Sequence, residues 1–69
     1  MITKSFCQKV ASWRVFYTDK YKYEAEYDPK EHCIRIFRIT LTKDWTDELF
    51  AQGVEVARYD AGIGWIIRG

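Results

Sequence analysis

The sequence predicts an α+β domain: an antiparallel sheet of four to five strands, a meander plus a C-terminal hairpin, with one short helix and a small curled barrel as its closed variant. Three observations lead there. Residues 21–28 alternate strictly, with Tyr21, Tyr23, Ala25 and Tyr27 on one side and Lys22, Glu24, Glu26 and Asp28 on the other, the pattern of a half-buried strand. Residues 33–41 carry Ile34 and Ile36 on one face and Phe37, Ile39 and Leu41 on the other, which fits the middle of a sheet. Residues 45–52 read as the helix, with Asp44 as N-cap, Asp47 and Glu48 in the first turn and Gly53 as a left-handed stop.

Taken in order, residues 4–12 are ambiguous. Phe6, Val10 and Trp13 recur at helical spacing, but Cys7, Val10 and Ser12 are weak helix formers, and the balance favours a strand or an extended arm. Next, Trp13, Val15 and Tyr17 alternate with Arg14 and Phe16 as a first strand, and Thr18, Asp19 and Lys20 connect it to residues 21–28. Asp28, Pro29, Lys30 and Glu31 form a tight turn into the central strand, because proline suits the second position of a type I turn and aspartate the first. Arg35 and Arg38 interrupt opposite faces of that strand and are expected to reach water at a sheet margin. The segment 45–52 has Trp45, Leu49 and Phe50 as its apolar stripe. After it, Val54 and Val56 alternate with Glu55 and Ala57, and Ala61 with Gly62 turns the chain into a last strand through Trp65, Ile66 and Ile67.

The chain has 69 residues, which suits one domain over 1–69; no linker, repeat or biased segment divides it. Its 48% apolar and 30% charged residues are a globular composition. Three Trp, five Tyr and four Phe mean that aromatic rings dominate both core and contact surface. Net charge is +1, so no strong global field selects nucleic acid or an anionic membrane. The charge is nevertheless segregated: residues 1–22 carry Lys4, Lys9, Arg14, Lys20 and Lys22 against Asp19 alone, and the acids follow later. Lys4, Gln8 and Lys9 break any apolar leader, nothing has the length of a membrane span, and two cysteines without a leader favour reduced thiols and a cytoplasmic location.

Enzymatic chemistry is not expected. Glu31, His32 and Cys33 are the only adjacent titratable candidates, and neighbours in an extended chain point to opposite faces. Cys7, His32 and Cys33 lack the paired spacing of a zinc site, so neither metal nor cofactor is expected. An eight-residue helix is about 12 Å long, whereas four or five strands span about 19–24 Å, so one such helix leaves sheet surface bare. This points to a non-enzymatic protein-binding module, a small adaptor or inhibitor of a larger protein or a self-associating homodimer. Its expected binding residues are Trp13, Arg14, Tyr17, Tyr21, Tyr23 and Tyr27, the types that anchor interfaces. The alternative is single-stranded nucleic-acid binding, with Tyr17, Tyr21 and Tyr23 stacking bases among Arg14, Lys20, Lys22, Arg35 and Arg38.

Overall fold

The computed structural model describes residues 2–41 and 53–69. Among them the order is helix α1 (Lys4–Trp13), then strands β1 (Val15–Tyr17), β2 (Tyr21–Asp28), β3 (Cys33–Thr40), β4 (Val54–Asp60) and β5 (Gly64–Ile67). The strands form one antiparallel sheet in the order β1-β2-β3-β4-β5. β1 and β5 are its two edges, so the sheet stays open and the barrel variant is not the fold. The helix expected over 45–52, with its Asp44 cap, lies outside the described residues.

Residues 4–12 are helical, not extended. Thr3 caps the helix: its side-chain oxygen accepts from Phe6 N at 3.2 Å and its carbonyl from Cys7 N at 3.0 Å. The weak helix formers Cys7 and Val10 are fully buried against the sheet, and packing of an apolar face outweighs intrinsic propensity in so short a helix. Trp13 therefore ends the helix and does not belong to the first strand. Arg14 follows in the left-handed region, with φ 70°, and its N–H donates to the Val10 carbonyl at 2.7 Å. Glycine is the usual residue in that cap; an arginine there costs on the order of 1 kcal/mol.

The turns use the expected chemistry. Asp28 Oδ1 accepts from Lys30 N at 3.0 Å and Glu31 N at 3.2 Å, closing the β2–β3 connection, after which His32 takes φ 52°. In the β4–β5 hairpin Ile63 N donates to the Asp60 carbonyl at 3.1 Å, and Gly64 supplies φ 96°. Gly53 has no positive φ, contrary to the role of left-handed stop. A Cβ there would sit 3.3 Å from Phe37 Cβ and 3.4 Å from Ile39 Cγ1, so the residue is small because the backbone passes close over β3.

Cross-strand register sorts the helix-covered face into rows. Ala25, Ile36, Ala57 and Ile67 lie in one row beneath the helix, where two alanines let Cys7 and Val10 approach. Phe16, Tyr23, Arg38 and Val54 form the row on one side of it. Tyr27, Ile34, Tyr59 and Trp65 form the row on the other. The register between β3 and β4 shifts after Ile36, which pairs with Ala57 while Phe37 pairs with Glu55. Val56 is the extra residue of this bulge, and both Val56 and Ala57 are buried in the core.

The opposite face is charged. Arg35 bridges Asp28 and Glu55, both at 3.1 Å, and Arg68 reaches Glu55 at 3.3 Å. Arg58 pairs with Glu31 at 3.4 Å and Lys22 with Glu24 at 3.0 Å. Arg35 thus ends in a carboxylate pair, not in free water at the margin, while Arg38 lies over the Tyr21 ring at 4.9 Å.

Candidate functional site

The helix does not treat its two flanks alike. On one flank Phe6 meets Phe16 and Tyr23 edge-on, with ring centroids 5.3 and 4.9 Å apart, and Trp13 stacks on Phe16 at 5.8 Å. That flank is closed, and Tyr23 is left only 7% exposed. On the other flank the helix offers Gln8, Ala11 and Arg14 to the row Tyr27, Ile34, Tyr59 and Trp65, and no large apolar side chain. Tyr27 stays 61% exposed and Tyr59 37%. Tyr59 and Trp65 pack on each other at 5.2 Å, and Trp65 is half-buried.

Between α1 and this row runs a shallow groove made of two hollows. The first, about 270 Å3, is lined by Ala11, Arg14, Ala25, Tyr27 and Ile34. The second, about 280 Å3, is lined by Gln8, Ala11, Ile34, Tyr59 and Trp65. Ala11 and Ile34 belong to both, so the two share a floor.

The structure brings together two of the six residues singled out in the sequence: Arg14 and Tyr27 line the first hollow. Tyr23 is a core residue, and Tyr21 packs beside it at 6.1 Å, half-buried. Trp13, 58% exposed, stands over Phe16 on the far flank of the helix. Tyr17, 60% exposed, is on the opposite face of the sheet, where Lys22 lies 5.8 Å from its ring. The stacking platform envisaged for nucleic acid is accordingly split, with Tyr17, Lys22 and Arg35 on one face and Tyr21, Tyr23 and Arg38 on the other. Tyr59 and Trp65 were missed, although their alternation within the C-terminal hairpin places them on one face.

Charge is sorted by face as well. α1 and its cap carry Lys4, Lys9 and Arg14 and no acid, and Arg38 stands on the sheet face they cover; the strand acids Glu24, Glu26, Asp28, Glu55 and Asp60 all project from the other face, while Asp19 and Glu31 lie in the connections. Every ion pair among the described residues lies on that other face, and none involves Arg14. There the Asp28 carboxyl is held below the ordinary carboxylate range, first by the Glu31 N–H and then by the Arg35 guanidinium and the Lys30 N–H. The Lys22 ammonium is raised by its hydrogen bond and charge attraction to Glu24.

Cys7 and Cys33 are buried free thiols on different faces, and burial pushes the Cys7 thiol up, away from the reactive thiolate. His32 is exposed in its turn. Among the described residues no three His, Cys, Asp or Glu side chains gather into a metal site, and no helix is long and apolar enough to cross a membrane. No protein-family model, curated protein or solved structure matches the chain.

Proposed function

We propose that this protein is a non-enzymatic protein-binding module that docks its partner in the groove between α1 and the row Tyr27, Ile34, Tyr59 and Trp65. The observation that carries this reading is the one-sided cover of the sheet. The same helix that seals Tyr23 leaves Tyr27 and Tyr59 open beside an arginine. Tyrosine, tryptophan and arginine supply most of the anchoring energy of protein interfaces, because each combines a large apolar body with a polar tip. A partner that covers Tyr27 and Tyr59 completes the burial the helix leaves unfinished, and removing that apolar surface from water favours docking.

The test is co-purification from cells with a tagged chain, comparing wild type, a Tyr27→Ala/Tyr59→Ala double variant and Tyr17→Ala, washed at low and at high salt. The expected result is a protein retained by wild type and by Tyr17→Ala and lost with the double variant; the high-salt wash screens the share carried by Arg14 and leaves the apolar share of the binding in place. Loss with Tyr17→Ala alone, or recovery of nucleic acid that washes off in salt, would contradict the reading.

A further inference from the structure

Resting on that reading of the groove, we infer that the docked partner is an extended acidic peptide segment, with one aliphatic side chain on the floor of Ala11, Ala25 and Ile34 and a neighbouring carboxylate on Arg14.

Three features of the groove specify this chemistry. The first is shape: the two hollows, about 270 and 280 Å3, share the floor of Ala11 and Ile34 and run on as one shallow groove, which suits an extended segment seating successive side chains. The row crosses four strands, three steps of about 4.8 Å, or about 14 Å, which an extended chain spans with four to five residues at about 3.3 Å each. The second is the floor, whose Ala11, Ala25 and Ile34 make a narrow aliphatic seat. A nucleobase needs a flat ring to stack on, and the aromatic rings here stand at the ends of the groove.

The third is charge. Arg14 is exposed, lines the first hollow, and takes part in no ion pair with the described residues, whereas Arg35, Arg58 and Arg68 are all engaged on the other face. Its guanidinium offers a planar fork that a carboxylate matches with two hydrogen bonds. Lys4 and Lys9 are the other charges of α1, and the lining of the two hollows holds no acid, so the field over the groove draws an anionic segment. The same field opposes a second copy docking face to face, since a two-fold contact would set these cations against themselves. A strand of nucleic acid would require cations tracking along the groove, and Arg14 is the one cation in the lining.

The experiment is selection from a displayed random-peptide library on the folded protein, followed by affinity measurement of the enriched peptides and of an oligothymidylate on wild type, Arg14→Gln, Arg14→Lys and Tyr27→Ala. Circular dichroism establishes that each variant is folded. The expected consensus has Asp or Glu beside Leu, Ile or Val. Arg14→Gln should weaken these peptides about tenfold, Arg14→Lys should restore part of the loss, and Tyr27→Ala should weaken them as well. A consensus without acids that depends on Tyr27 and ignores Arg14 would overturn this inference and leave the docking groove standing. Enrichment of nothing that Tyr27→Ala weakens would overturn both. Binding of the oligothymidylate alone, collapsing with salt, would assign the face to nucleic acid.

Discussion

Tyr23 and Tyr27 stand four residues apart on the same strand and the same face, yet one is 7% exposed and the other 61%. The difference comes from the helix above them. Over Tyr23 it places Phe6, and Phe16 of β1 closes the cluster from the side. Toward Tyr27 it turns Ala11 and Arg14, which leave a hollow. Identical strand chemistry thus yields a core residue at one position and an exposed one at the other, according to the side chains the helix sets above them. Function in so small a fold can reside in what the second layer leaves out.

The largest effect expected of this contrast is in stability. Tyr23→Ala should cost about 3–4 kcal/mol, because a buried ring leaves a cavity, whereas Tyr27→Ala should stay within about 1 kcal/mol. Chemical denaturation of the two variants checks this, and equal losses would erase the distinction. Closing the open flank sharpens it: Ala11→Leu should fill the shared floor of the groove, change stability by about 1 kcal/mol or less in the favourable direction, and abolish binding. A leucine variant that still binds its partner would place the site elsewhere. Smaller again, Arg14→Gly should stabilise the fold by about 0.5–1 kcal/mol by relieving the left-handed cap while weakening the partner, an exchange of function for stability. A lower melting temperature for the glycine variant would remove strain from the explanation of Arg14.

The smallest effect belongs to the opposite face. Asp28 has a carboxyl held below its unfolded value, so its contribution to stability is complete above the unfolded aspartate pKa, near 3.9, and is lost as pH falls through the lower folded value. Asp28→Asn should therefore be less stable than wild type at neutral pH and converge on it in strong acid. Melting temperatures from pH 7 downward measure this; parallel curves would mean that the Arg35 pair and the turn do not depend on the charge of Asp28.

Much of the sheet was legible in the sequence because period-two alternation is a local signal. The faces of residues 21–28, the placing of Ile34 and Ile36 on one face and Phe37 and Ile39 on the other, the Asp28 turn and the C-terminal hairpin all follow from it. Residues 4–12 did not yield to propensity. The Thr3 cap and the burial of Phe6, Cys7 and Val10 decide that segment, and burial is a tertiary fact. The bulge escaped for the opposite reason, since alternation assigns Val56 and Ala57 to different faces and one inserted residue puts both in the core. Half of the groove was equally hidden. Arg14 and Tyr27 stand out by type, but Tyr59 and Trp65 join them only through successive registers across β3, β4 and β5. Tyr21 and Tyr23 stood out by the same type and belong to the packed flank, because nothing local in the sequence says where the helix crosses.

Photo-crosslinking reads the claim of a one-sided docking groove most directly. A benzophenone side chain is placed at position 27 in one sample and at position 17 in another, and both are irradiated in cells. Tyr27 and Tyr17 are equally exposed, on opposite faces of the sheet, so exposure alone cannot separate them. The account predicts a discrete protein adduct from position 27 and none from position 17. An adduct from position 17 with position 27 silent, or a nucleic-acid adduct at position 27, would contradict it.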